Sequence, residues 1–362
     1  IDMKQLILSF IAVILSVPAM SGQEACRYVE ASDLTLTGKV MDTPNPYHRI
    51  DTCRYTGFSE GENFQARCAS GLAVLFRTNS TCITVLPEYA EARRSLTAPD
   101  LAQLGFDLYI RKDGKWLFAG SGVGRGVNDG KAVTLVRDMD GSMKECMLHL
   151  PMYSEMNSVK IGVDGGAEIE AMESPFRHRV AIYGSSYTQG ACISRPGMSY
   201  PMQFVRNTGI QLLNLGFGGN CKMQPQFAAV LEDADVDAII FDCFSNPNAA
   251  LIEERTLPFI ERMVKAHPDI PLIFIATVYR ENRNFSLKND RYEQDKMDMA
   301  AKMMAQAVKK YGNVYFIQPD TLTGHDHETS VDGVHPSDMG YARWARTIEK
   351  PVLKILKKYG IK

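Results

Sequence analysis

Four short stretches of this chain carry residues that could share one reaction. The first is "VAIYGSSYTQGAC", Val180 to Cys192, where an apolar run breaks into Gly184, Ser185, Ser186 and Thr188. The second is "NLGFGGN", Asn214 to Asn220, whose glycines leave backbone N–H groups uncovered. The third, "CFSNPN", offers the Asn246 side-chain amide, and the fourth, "SVDGVHPSDMGY", holds Asp332 and His335 three residues apart. Together these are the parts for acyl transfer to a serine. A hydroxyl needs a base to take its proton, and the base needs a carboxylate to set its tautomer. The oxyanion that then forms needs donors, which a glycine N–H and an asparagine amide supply. One serine alone would prove nothing, because serine is common in turns for its local hydrogen bonding. From the residues alone, Ser185 and Ser186 compete for the role. The stretch is not a Gly-x-Ser-x-Gly elbow, since Thr188 stands where the second glycine would be.

Elements that would bring these stretches to one rim are legible after Pro175. Strand candidates at Val180–Gly184, Gln211–Leu215, Ala238–Phe244, Leu272–Val278 and Val314–Gln318 are rich in Val, Ile, Leu and Phe. That is the composition of strands buried on both faces of a parallel sheet. Helical stretches lie between them, around Tyr200–Asn207, Gln224–Glu232, Ile252–His267 and Asp290–Tyr311. A last helix follows Ser337, with Tyr341, Trp344, Ala345 and Ile348 at helical spacing. The pattern predicts a doubly wound, flavodoxin-like three-layer α/β/α domain on a five-stranded parallel sheet. Ligands of such sheets bind beyond the carboxyl ends of the strands, where all four stretches fall.

The preceding part reads differently. From about Ala31 to Ala171 the chain alternates short strands with turns, including Phe106–Lys112 and Lys115–Gly120 around the hairpin signal Asp113-Gly114. Many short strands with regular turns predict an all-β, jelly-roll-like sandwich domain. The expected division is a leader over residues 1–22, a sandwich over 23–172 and an α/β domain over 173–362. The leader rests on Lys4, the apolar run Leu6–Val17 and the small residues Ala19-Met20-Ser21. The mature protein is therefore expected to be exported, periplasmic or secreted, with no stable membrane insertion after cleavage. At 45% hydrophobic and 23% charged residues with a net charge of -2, the 362-residue chain has no electrostatic reason to bind nucleic acid.

Taken together, these blocks resemble the SGNH (GDSL-like) hydrolases. "YGSSYTQG" looks like the first block of that family, with Ser186 at the nucleophile position. "NLGFGGN" is similar to the second, with Gly219 as oxyanion glycine, and "DCFSNP" to the third at Asn246. "DGVHP" matches the fifth at Asp332 and His335. Two departures stand out: Ser185 replaces the usual acidic residue before the nucleophile, and the third block lacks its Gly and its Asp. "LGFDLYIRKDGKW", Leu104 to Trp116, resembles the GxDLY motif of the sandwich domain found ahead of this hydrolase type, as in carbohydrate deacetylases of glycan-degrading Bacteroidetes.

The resemblance implies a serine esterase with catalytic Ser186, His335 and Asp332, and an oxyanion hole from the Ser186 and Gly219 N–H groups and the Asn246 amide. It implies no metal or organic cofactor and an acetylated oligo- or polysaccharide as substrate. A lipase or thioesterase acting on longer acyl chains, and a glycan-binding or acyl-transferring protein, are the rival readings. Arg195 is expected either to line the pocket or to make an ion pair at the surface or between the domains. Tyr109 and Trp116 either stack on sugar or pack at the seam, and Trp344 and Met339 read as core or helix-packing residues. Cys192 and Cys221 follow the nucleophile turn and the oxyanion glycine, and a disulfide between them is expected to brace the rim. Cys243, within an apolar strand, reads as a buried thiol. His325 and His327 in "GHDHE" lack further ligands for a metal.

Overall fold

A computed structural model describes residues 26–362. The expected leader, residues 1–22, lies outside the described residues. Ten strands build the first unit: β1 (Arg27–Glu30), β2 (Thr35–Thr37), β3 (Ala73–Thr78), β4 (Ile83–Ala92), β5 (Phe106–Lys112), β6 (Lys115–Gly122), β7 (Val133–Val136), β8 (Lys144–His149), β9 (Ser154–Val163) and β10 (Ile169–Ala171). They pair antiparallel in two sheets, β1-β9-β4-β7 and β10-β3-β8-β5-β6, with β2 on the flank of β3. Val85, Met156, Val159 and Ile161 of one sheet pack with Val74, Phe76, Leu108 and Leu148 of the other, which makes the unit a β-sandwich. The β5–β6 hairpin turns on Asp113 and Gly114, both at positive φ (50° and 76°), as a two-residue type I′ connection requires.

Two helices interrupt this unit, α1 (Glu60–Arg67) and α2 (Asp100–Gln103). The pattern over 31–171 predicts β structure throughout, which leaves no place for α1. Its signal was present: Ser59 and Glu62 form a reciprocal capping box, each side chain bonded to the other's backbone N–H.

The second unit comprises β11 (Arg179–Gly184), α3 (Ser186–Gln189), α4 (Tyr200–Thr208), β12 (Gln211–Gly216), α5 (Pro225–Glu232), β13 (Ala238–Asp242), α6 (Ala249–Ala266), β14 (Leu272–Ile275), α7 (Leu287–Lys310), β15 (Val314–Ile317) and α8 (Asp338–Lys358). All five strands are parallel, in the order β12-β11-β13-β14-β15. Consecutive residues point to opposite faces, and both faces are apolar. Tyr183, Leu213, Phe241 and Phe274 enter one core, while Ile182, Leu212, Ile240 and Ile273 enter the other. Helices cover both faces, so this is a three-layer α/β/α domain. The strand order reverses at β11, and the carboxyl end of β11 is therefore the switch point where a ligand crevice forms.

The C-terminal helix secures that point. Trp344 of α8 is fully buried, stacks on Tyr200 at 4.6 Å between ring centroids and lies 5.4 Å from Tyr187 in the turn after β11. Met339 does not share this core role; it is 45% exposed in the first turn of α8.

Candidate active site

Strand β11 ends at Gly184, and the chain turns directly into the single turn of α3. Close approach dictates the glycine: a Cβ there would fall 1.9 Å from the Thr188 hydroxyl. Ser185 caps α3, its fully buried Oγ accepting the Tyr187 N–H at 3.3 Å. Ser186 stands next, half-buried, with Oγ 2.9 Å from Nε2 of His335. The structure thus turns Ser185 inward to the backbone and Ser186 outward to the histidine. A cap and a presented hydroxyl explain why two adjacent serines occur here.

His335 lies in the segment between β15 and α8. Asp332 Oδ1 accepts the backbone N–H groups of Val334 (2.9 Å) and His335 (2.7 Å), while Oδ2 accepts His335 Nδ1–H at 2.8 Å. With Nδ1 donating to the carboxylate, Nε2 is left to accept the Ser186 proton. Burial works to raise the Asp332 pKa. The bonds from the His335 ring, the His335 and Val334 N–H groups, and the His335 charge outweigh it and hold the carboxyl below its ordinary range. The segment is anchored from a neighbouring loop, where the Asn282 N–H donates to Gly333 O at 2.8 Å.

Gly218 and Gly219 pass beside the serine. A Cβ built on Gly218 would lie 3.4 Å from that of Ser186. The Gly218 N–H is already given to Gln189 Oε1 at 2.9 Å. Among the described residues no bond engages the Gly219 N–H. Gly219 has φ +74° with open space over its Cα, a conformation that favours glycine. Asn246 joins the same loop: its Oδ1 accepts the Cys221 N–H at 3.2 Å, which leaves Nδ2 as the donor of that amide.

One expectation fails, and the contacts decide between the alternatives left open for the others. The Cys192–Cys221 disulfide is absent, and all eight cysteines are free thiols. The two point to different partners. Cys192 Sγ donates to Asp332 Oδ2 at 3.8 Å, and Cys221 Sγ turns under the sheet to Asp242 O at 3.9 Å. Cys243 is fully buried. Arg195 spends its guanidinium on the interdomain seam, 2.6 Å from both Asp107 Oδ2 and Tyr109 Oη and stacked over Phe118 at 4.1 Å. Asp107 is wholly buried and also accepts the Gly197 N–H at 2.9 Å, so the "GFDLY" stretch locks the two units together. Tyr109, 4% exposed and edge-on to His149, belongs to that seam and offers no face to a sugar. Trp116 is half-buried in the sandwich with Arg111 over its ring at 5.9 Å. His325 and His327 bond to separate carboxylates, Asp320 and Glu281.

Sequence reasoning missed Arg280, which lies beyond β14. Its guanidinium donates to Tyr187 Oη (2.7 Å), Ser245 O (2.8 Å) and Glu293 Oε1 (2.8 Å). Tyr187 in turn donates to Val334 O at 3.0 Å. One side chain therefore touches neighbours of Ser186 and Asn246 and, through Tyr187, of His335. The strand-end rule that finds the other four stretches also points here, at the fourth strand.

Asp242, at the end of β13, lies under the turn that carries Ser186. Its Oδ2 accepts from Thr188 Oγ1 (2.8 Å) and Tyr200 Oη (3.2 Å), and among the described residues Oδ1 is buried without a partner. Burial drives its pKa from 3.8 to about 7, against the lowering effect of those bonds and of Arg280. Between these values the folded protein holds a proton that the unfolded chain has released, so stability falls as pH rises through this window. At about 1.4 kcal/mol per tenfold, the cost of ionisation is on the order of 4 kcal/mol by pH 8. Asp242→Asn keeps an acceptor for Thr188 and Tyr200 and cannot ionise. Urea unfolding is expected to show a smaller loss of stability between about pH 4 and pH 8 in this variant than in the parent.

Two family profiles match the chain. Residues 177–354 match the GDSL-like Lipase/Acylhydrolase family, and residues 26–169 match the N-terminus of Esterase_SGNH_hydro-type. No curated protein matches at a significant level. Among solved structures, one described as a GDSL-like lipase from Bacteroides ovatus ATCC 8483 is 39% identical with a TM-score of 0.89, covering 92% of this chain and 98% of its own. A salicylyl-acyltransferase from a tetracycline biosynthetic pathway is 20% identical with a TM-score of 0.70, covering 91% and 98%. A family two carbohydrate esterase from Cellvibrio japonicus is 12% identical with a TM-score of 0.59, covering 92% and 99%. The last two show a shared fold.

Proposed function

The chain belongs to the GDSL-like lipase/acylhydrolase family, and from that premise we propose that it is a serine esterase removing acetyl groups from glycans. The observation that carries this reading is the unbroken line from Ser186 Oγ through His335 to Asp332, at 2.9 and 2.8 Å. Ser186 Oγ attacks the ester carbonyl as His335 Nε2 takes its proton. Asp332 holds the imidazolium that results. The negative oxygen of the tetrahedral intermediate takes the N–H groups of Ser186 and Gly219 and the Asn246 amide. His335 then returns the proton to the departing alcohol oxygen, leaving an acyl group on Ser186. Water, deprotonated by His335, reverses the sequence and releases the acid.

Two features support a bulky glycan as the alcohol. His335 and Asp332 are 23% and 25% exposed, and the space over Gly219 is open, so the rim admits a polysaccharide chain. The carbohydrate esterase named above shares the two-domain fold over nearly its whole length. Export fits such a substrate, and among the described residues no helix is long and apolar enough to cross a membrane. We place the domain boundary near residue 172, between β10 and β11.

Hydrolysis of p-nitrophenyl acetate, butyrate and octanoate, followed by acetate release from acetylated xylan, tests this reading. Acetate is expected to exceed octanoate at least tenfold in kcat/KM, with acetate set free from the polysaccharide. Preference for octanoate would make the protein a long-chain lipase instead. Transfer to an added alcohol in preference to water would make it an acyltransferase.

A further inference from the structure

Gly219 has open space over its Cα, so packing does not fix the direction of its N–H. Hydrogen bonds to its neighbours do. Within the α/β domain, the Phe217 N–H donates to Gly184 O at 2.8 Å and the Asn220 N–H to Phe217 O at 3.0 Å. The Gly218 N–H donates to Gln189 Oε1 at 2.9 Å, and Asn220 O accepts Gln224 Nε2 at 2.7 Å. The bond on the Gly218 carbonyl comes from the sandwich domain. Gln65, on α1, donates through Nε2 to Gly218 O at 2.9 Å and accepts the Asn220 side-chain amide on Oε1 at 2.9 Å. One amide thus grips the residues on both sides of Gly219.

The first of these bonds has a particular consequence. The Gly218 C=O and the Gly219 N–H belong to one planar, trans peptide unit and point in opposite directions. A donor held on that carbonyl fixes the plane, and with it the line along which the Gly219 N–H is presented. The same bond polarises the peptide and strengthens its N–H as a donor. Gln65 is also near the reacting centre: a Cβ built on Gly218 would lie 3.5 Å from Gln65 Nε2 and 3.4 Å from Ser186 Cβ.

Arg49, also from the sandwich domain and 1% exposed, backs this arrangement. Its Nη1 donates to Asn214 O (3.1 Å) and Gly216 O (3.0 Å), Nε to Cys68 O (3.0 Å) and Nη2 to the backbone carbonyl of Gln65 itself. Its guanidinium lies 4.9 Å from the centre of the Phe217 ring. One buried cation therefore ties the entry of the glycine loop to the helix that carries Gln65. The capping box at Ser59 and Glu62 fixes the start of that helix, and Glu62 accepts Gln224 Nε2 at 2.9 Å from the far end of the loop.

We infer that the sandwich domain completes the oxyanion hole, with Gln65 as the positioning residue that sets the Gly218–Gly219 peptide plane. This rests on the serine esterase reading above. Two variants separate its elements. Gln65→Leu removes both bonds, while Gln65→Glu keeps an oxygen for Asn220 and puts a second oxygen against Gly218 O. In each, kcat for p-nitrophenyl acetate is expected to fall about 10- to 100-fold, less than the loss of a whole donor would cost. KM should stay within about threefold, and the Ki of phenylboronic acid, which forms a tetrahedral adduct on the serine, should rise with the fall in kcat. Urea unfolding reports whether the fold is kept, and if Gln65→Leu does not fold, Gln65→Glu carries the test. A kcat within twofold of the parent in the folded variants overturns the inference, as does a fall in kcat with an unchanged Ki. Full activity in Ser186→Ala would instead overturn the esterase reading beneath it.

Discussion

Alanine at Ser186 is expected to lower kcat for p-nitrophenyl acetate by roughly 10⁴- to 10⁶-fold, the range seen when a catalytic serine is removed. Only oxyanion donors and substrate binding would remain, and these alone give a small residual rate. The fold should be untouched. Ser186 Oγ makes its side-chain bond to His335, whose ring is 23% exposed and can take water in its place. No buried donor is orphaned, so urea unfolding should shift by no more than about 1 kcal/mol. A loss of activity accompanied by unfolding would not count as support. The same measurement on Ser185→Ala has a different expectation, because that hydroxyl caps α3 from a fully buried position. Its loss costs about 1 kcal/mol of stability and leaves the nucleophile in place.

The second large effect is at His335. His335→Ala should lose as much activity as Ser186→Ala, and the double variant should lose no more than either one. Groups that act as a unit fail together, because a serine without its base and a base without its serine are equally idle. Asp332→Asn tests the tautomer argument. Asp332 Oδ1 receives two backbone N–H groups and Oδ2 receives the ring N–H, so the carboxylate accepts on both oxygens. An asparagine must place its NH₂ against one set of donors. If it faces the ring, Nδ1 becomes the acceptor, the proton moves to Nε2, and Ser186 loses its base. A fall in kcat of about 10⁴-fold is expected, with KM largely kept. Steady-state kinetics on the three single variants and the double variant decide it, and additive losses would sink the idea that these residues work as one unit.

Much of this architecture was legible because it repeats a local pattern. The five parallel strands announce themselves as short β-branched and aromatic runs, and their ends fall within a few residues of the observed ones. The segments that follow the strand ends hold Ser186, Gly219, Asn246, Asp332 and His335, since the crevice of an open sheet lies there. Choosing between Ser185 and Ser186 was beyond the residues themselves, because the choice depends on which hydroxyl is consumed by the cap of α3. Helix α1 was missed although Ser59 and Glu62 spell a capping box, because its eight residues lie within a run of strands.

Long-range contacts were the least legible. Gln65 meets Gly218 across 153 residues, and Arg49 meets Gly216 across 167. Neither has a periodicity or a spacing to mark it. The fate of Arg195 depended likewise on Asp107, 88 residues earlier, in a stretch read mainly as a family signature. The expected disulfide failed for a related reason. Cys192 and Cys221 come shortly after the turns that carry Ser186 and Gly219, but one thiol faces Asp332 and the other faces the end of β13. Proximity to the same site in sequence does not bring two side chains to the same side of it.

Reaction with a fluorophosphonate probe, followed by peptide mass spectrometry, tests the central claim most directly. The serine oxygen displaces fluoride from phosphorus, and the tetrahedral adduct occupies the oxyanion hole. One equivalent of label on Ser186, lost in Ser186→Ala and retained in Ser185→Ala, is the predicted result. Label on Ser185 or on another residue, or ester hydrolysis by a protein that takes no label, would contradict it.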